Sequence, residues 1–99
     1  MEYIYKYPLA WSISIQEIEM SKGAIILCVQ AQDNIPHIWA MISTRDAAGN
    51  KPIRIKRRFR TYATGEEMKD AADFTHYVGT YQLGNGALVY HVFTDQIER

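Results

Sequence analysis

The sequence predicts a mainly β protein, a single small antiparallel β-sandwich or half-open barrel of about seven strands with at most one short helix. Three observations predict it. Apolar and polar residues alternate with a period of two along most of the chain, helical spacing is confined to one short stretch, and Asn85-Gly86 separates two alternating runs as a two-residue hairpin loop would. A chain of 99 residues holds one domain, 1–99, and its 47% hydrophobic content suffices for one core.

The elements follow in order. Tyr3, Tyr5 and Tyr7 alternate with Ile4 and Lys6 up to Pro8, the pattern of an edge strand that stops at a proline. Ser12 to Ile15 alternates, and Ile18 and Met20 continue it after a phase shift, which predicts a bulge near Gln16. Ile25 to Val29 is five consecutive apolar residues, as in a central strand covered on both faces. Turn chemistry at Asp33-Asn34-Ile35-Pro36 then predicts a hairpin over 24–43. After a loop at Thr44 to Asn50, a strand is expected from about Pro52 to Tyr62, with Ile53, Ile55, Phe59 and Thr61 on one face. Thr64 and Glu67 fit a capping box ahead of Met68, Ala71 and Ala72, the one place for a short helix. The Asn85-Gly86 loop sets a register of Leu83 with Leu88, Tyr81 with Tyr90, Gly79 with Val92 and His76 with Asp95.

Eleven basic residues balance eleven acidic ones, so any electrostatic signal is local. It is concentrated in Lys51 to Arg60, which holds six of the eleven basic residues. On a strand, Arg54, Lys56, Arg58 and Arg60 share one face and Tyr62 extends the row, at about 6.5–7 Å per step, close to a phosphate spacing. Forked, stackable guanidinium groups beside a tyrosine suit an anionic ligand such as a cyclic nucleotide or a nucleic acid. Two other readings stand beside it: charge that is solvated or paired with Glu66, Glu67, Asp70 and Asp73, and a site for an acidic protein partner. Arg57 falls in phase with the isoleucines, so it needs either a buried carboxylate or a bulge that returns it to solvent.

An enzyme is not expected. His37, His76 and His91 are far apart and none has metal-ligand spacing, so no metal is expected, and no motif implies a cofactor. His91 reads as a hydrogen-bonded structural histidine and Cys28, in the most apolar run, as an inert core thiol. The lone cysteine, the absence of a long apolar run and the lack of a signal-peptide pattern at Met1 to Lys6 point to the cytoplasm without membrane attachment. The aromatics suggest a homo-oligomer, with Tyr3, Tyr5, Tyr7 and Trp11 as its interface, or an aromatic-walled pocket; the alternative is tyrosines lying flat on a sheet with their hydroxyls in water.

Lys6-Tyr7-Pro8-Leu9, Ile18 to Ala24, Ile38-Trp39-Ala40, Arg58-Phe59-Arg60 leading into Thr64-Gly65, Tyr77-Val78-Gly79-Thr80 and His91-Val92-Phe93 together resemble a family of small proteins encoded in phage and prophage genomes. The resemblance covers nearly the whole chain. That family carries a domain of unknown function, so the resemblance implies a setting and no catalytic residues. Ser21 and Ala63 stand where the family usually has proline and glycine, and Lys51 to Arg57 is more basic than the family pattern. The setting implies a small binding protein in the host cytoplasm. It would counter a host defence or host factor by sequestering a nucleotide signal or nucleic acid, or by occupying a host protein surface, through the Arg54 to Arg60 face. The alternative is a structural or assembly accessory protein acting through homo-oligomerisation.

Overall fold

The computed structural model describes residues 1–95. Among the described residues, seven antiparallel strands and no helix form two sheets: β1 (Glu2–Pro8), β2 (Ile15–Ser21), β3 (Ile25–Gln32), β4 (Ile35–Ser43), β5 (Arg54–Ala63), β6 (His76–Leu83) and β7 (Leu88–Thr94). One sheet has the order β1-β4-β3 and the other β2-β5-β7-β6, a sandwich-like all-β fold.

Residues directly opposite each other in an antiparallel pair lie on one face, so the registers identify the core. In the three-stranded sheet, β1 places Tyr7 opposite Ile38, Tyr5 opposite Ala40 and Tyr3 opposite Ile42. Ile38, Ala40 and Ile42 are buried, which makes this the inner face. In the four-stranded sheet the inner face carries Ile18, Met20, Phe59, Val92, Tyr81 and Leu83, all buried in the same apolar cluster or against it. At about 25 cal/mol per Å² of apolar surface removed from water, these side chains are the main source of stability.

The two sheets approach most closely where β3 passes β6. A Cβ on Gly79 would lie 3.0 Å from Val29 Cγ1 and 3.5 Å from the Val29 backbone N and O. A methyl there would crowd the Val29 side chain, and glycine lets the two strands pass this closely. Asn85 and Gly86 both have positive φ, and Ala87 N donates to Gly84 O at 3.1 Å, which closes the expected tight hairpin. Its register holds through Leu83–Leu88, Tyr81–Tyr90 and Gly79–Val92, then slips at a bulge between Tyr77 and Gly79. His76 consequently faces Thr94 rather than Asp95.

Several sequence expectations are corrected. The apolar run on β3 forms an edge strand, with Ile25 and Leu27 exposed, because its partner β4 lies between it and β1. Cys28 sits half-buried on the outer face opposite Trp39, since a bulge between Ile26 and Cys28 shifts the alternation. The β3–β4 turn is tighter than expected, with Asp33 and Asn34 at positive φ and Ile35 and Pro36 already in β4. Regular pairing in β2 starts at Ile15 and runs unbulged to Ser21, so the phase shift is met by turning Ile13 and Ile15 outward. Ile53 precedes β5 and is exposed. The stretch after Thr64 forms turns, not a helix.

Burial also leaves some tyrosine hydroxyls without partners among the described residues, Tyr7, Tyr62 and Tyr81 among them. Burial, with Tyr90 nearby, pushes the Tyr81 phenol up to about 12. Below about pH 10 Tyr81 is neutral whether folded or not, whereas at higher pH only the unfolded chain ionises readily. Its contribution is thus intact below about pH 10 and lost as pH rises toward the folded value. Tyr81→Phe should hold or raise stability at neutral pH, because it deletes an unpaired buried hydroxyl. It should also move the alkaline unfolding midpoint upward, as urea titrations at neutral and alkaline pH would show.

Candidate functional site

The β5 stripe lies on the outer face of the four-stranded sheet, as the alternation requires, but its two ends differ. Arg54, Lys56 and Arg58 are exposed, whereas Arg60 and Tyr62 are buried. Both are covered by the segment 64–75, which turns back over the sheet after β5. Its anchor at one end is Phe74, 2% exposed, with the Arg58 guanidinium 5.0 Å from its ring centre. At the other end Arg60 acts as a clasp. Its Nε donates to Asp70 Oδ2 at 2.7 Å, Nη2 to Glu66 Oε2 at 3.2 Å and Nη1 to Thr61 O at 2.6 Å, and its plane stands 4.1 Å from the Tyr62 ring centre.

This clasp explains the missing helix. The hydroxyl of Thr64, the expected N-cap, meets His91 instead, and the neighbouring Glu66 accepts the Ala63 backbone N–H at 2.9 Å through Oε1 while its other oxygen takes Arg60, so these side chains are spent on the sheet rather than on a helix start. The Ala63 N–H first, and Arg60 second, hold the Glu66 carboxyl below its ordinary value. For Arg60, burial alone would ease proton loss, but hydrogen bonds to Asp70 and Glu66 outweigh it and hold the guanidinium above its ordinary value.

The exposed part of the stripe is paired as well. Arg58 Nε lies 3.1 Å from Asp95, Arg54 Nε lies 3.7 Å from Glu19, and the register places Glu17 opposite Arg58 and Glu19 opposite Lys56. Four cations on this face therefore meet five carboxylates: Glu17, Glu19, Glu66, Asp70 and Asp95. The local field is that of a mixed surface rather than a basic one.

Between segment 64–68 and strands β6 and β7 lies an open cavity of about 260 Å³, walled by Tyr62, Tyr77, Phe93 and Met68. Phe93 is held edge-on by Tyr62 and Tyr77, at centroid distances of 5.8 and 5.3 Å. On its polar side, His91 Nε2 meets Thr64 Oγ1 at 2.7 Å and Nδ1 meets Thr80 Oγ1 at 2.9 Å, and Thr80 in turn meets the Tyr77 hydroxyl at 2.6 Å. Both ring nitrogens are thus engaged inside the protein, a structural histidine that ties the loop to the sheet. No cluster of three or more metal-ligating side chains occurs among the described residues.

A family model described as a domain of unknown function, DUF7352, matches residues 1–99. The chain belongs to the DUF7352 family. No curated protein and no solved structure matches it.

The second group of sequence-predicted residues separates in the DUF7352 domain. Tyr7 is half-buried, packs against the core and has an enclosed hydroxyl. Trp11, 46% exposed, lies beyond the strand against Tyr90, with ring centres 6.0 Å apart. Tyr3 and Tyr5 remain together on β1, ring centres 6.1 Å apart and 43% and 48% exposed, although they occupy the sheet's inner face. On the outer face, Ile4, Met41 and Ile25 form one row across all three strands, and Ile4 and Ile25 are 63% and 52% exposed. Trp39 lies in the next row, between Lys6 and Cys28. Sequence reasoning missed this apolar outer face because the alternation of β3 and β4 does not reveal which faces a second sheet covers. The signal that could have exposed it is the chain's surplus of strand-forming apolar residues over one core's capacity.

Proposed function

We propose that the DUF7352 domain is a non-enzymatic assembly protein that acts by homo-oligomerising through its three-stranded sheet. The observation that carries this reading is the state of Tyr3 and Tyr5: two aromatic side chains on a core-facing surface, half open because no described element covers them. Exposed tyrosines beside an apolar face are what protein interfaces enrich. The test is native mass spectrometry and sedimentation of the untagged protein over a range of concentrations. A defined oligomer that Tyr5→Asp weakens is expected. A monomer at every concentration would overturn the reading.

One observation favours a second reading, capture of an anionic ligand on β5: Arg54, Lys56 and Arg58 stand exposed in one row, with the Arg58 plane on Phe74. In a phage or prophage setting that ligand would be a nucleotide signal or nucleic acid of a host defence. The carboxylates interleaved with the row oppose it. Adding cyclic oligonucleotides and short nucleic acids to the same mass-spectrometry samples tests it. Retention that falls with salt and is lost in Arg58→Ala supports capture, and no retention removes it.

A further inference from the structure

We infer that the partner of the β1 edge is a second copy of β1, joined antiparallel about a two-fold axis at Ile4; this rests on the assembly reading above. β1 has one neighbour, β4, and its other edge pairs with no strand among the described residues. A seven-residue edge with open N–H and C=O groups is a template for strand addition, and of the usual protections it carries Glu2, Lys6 and Pro8.

The sequence of that edge is self-complementary. In Glu2-Tyr3-Ile4-Tyr5-Lys6, reversal about Ile4 places Glu2 against the partner's Lys6, Tyr3 against the partner's Tyr5 and Ile4 against the partner's Ile4. The two-fold repeats each contact, so both charge pairs and both aromatic pairs form at once. Centring the axis one residue away loses this: about Tyr5 it sets Ile4 against Lys6, and about Tyr3 it sets Glu2 against Ile4.

The faces agree with the same register. Glu2, Ile4 and Lys6 lie with Met41 and Trp39 on the outer face, and Tyr3 and Tyr5 lie with Ile42 and Ala40 on the inner one. Pairing about Ile4 keeps outer against outer and inner against inner. It joins the two sheets into one of six strands and runs the apolar row Ile25, Met41, Ile4 into its own mirror sequence in the partner. It also brings each half-open Tyr3 and Tyr5 beside the partner's tyrosines. In the single chain Lys6 donates to Gln32 and lies 5.7 Å from the Trp39 ring centre. That exposed neutral contact is weaker than the charge-assisted bond a carboxylate offers.

The test is a set of edge variants in a Cys28→Ser background, compared by sedimentation and by mild oxidation. Ile4→Cys should cross-link to itself rapidly, while Glu2→Cys and Lys6→Cys should cross-link as a mixture and poorly alone. Glu2→Lys and Lys6→Glu should each weaken the dimer at least several-fold, and the double charge swap should restore it. These positions are exposed, so thermal unfolding should show the single chain intact in every variant. A dimer that ignores the charge swaps and does not cross-link through Ile4→Cys overturns this register and leaves the assembly reading standing. A monomer at all concentrations overturns both.

Discussion

Arg60→Ala is expected to destabilise the protein by about 2–3 kcal/mol and to open the segment 64–75, because hydrogen bonds to charged groups are worth about 1.5–3 kcal/mol each and Arg60 makes two of them. The sum is reduced because its partners are not fully enclosed: the Glu66 and Asp70 side chains are 40% and 34% exposed and regain water once the arginine is gone. Arg60→Lys keeps the charge but not the fork that spans both carboxylates, and should recover less than half of the loss. Urea denaturation gives the magnitude, and limited proteolysis shows whether cleavage moves to 64–75. Acid provides an independent arm. The Glu66 carboxyl titrates below its ordinary value, so its contribution is intact above the usual range of about 4.3 and is lost as pH falls through the lower folded value. Because the Ala63 N–H is the first cause of that shift, Arg60→Ala should shrink the acid dependence without abolishing it. Unchanged stability with an intact loop would mean that Phe74 and the Thr64–His91 contact suffice to hold the segment.

The clasp also shows where the sequence is legible and where it is not. Strand periodicity, the hairpin at Asn85-Gly86 and the shared face of Arg54 to Tyr62 are local properties of the chain and appear directly in its pattern. Whether that face is open depends on which way a loop folds back, a non-local matter. The capping-box pattern at Thr64 and Glu67 is outcompeted because the Thr64 hydroxyl meets His91 and the neighbouring Glu66 takes the Ala63 N–H and a buried guanidinium. The edge position of β3 is lost for the same reason: Ile25 to Val29 is apolar enough for a central strand, but strand order is decided by pairing. The His76 register fails by one residue because a bulge at Val78 leaves no trace in the alternation. The self-complementary β1 is the reverse case, present in the sequence but without meaning until the structure shows that strand at an open edge.

Arg57→Met should stabilise the protein by about 1 kcal/mol, the low end of the range for whole buried ion pairs replaced by apolar side chains, because Asp95 stays behind with a second partner. Arg57 points inward between Ile55 and Phe59, opposite Ile18, with its side chain 4% exposed. Its compensation is poor. Nη1 reaches the Ala24 carbonyl at 3.4 Å, Nε stands 3.9 Å from Asp95 Oδ1, and Nε and Nη2 have no hydrogen-bond partner among the described residues. Burial accordingly pulls the guanidinium below its ordinary value, more strongly than Asp95 raises it. Methionine fits the same channel without a charge to desolvate. The substitution does not orphan Asp95, which keeps Arg58 at 3.1 Å. Removing the carboxylate instead, with Asp95→Ala, should be destabilising in the natural sequence and less so beside Arg57→Met, where only the Arg58 contact is left to lose, so the double-mutant cycle isolates the Arg57 pair. If Arg57→Met lowers stability by more than about 1 kcal/mol, an interaction larger than the desolvation cost holds that arginine in place, and the inner face of β5 is tuned for a charge rather than merely tolerating one.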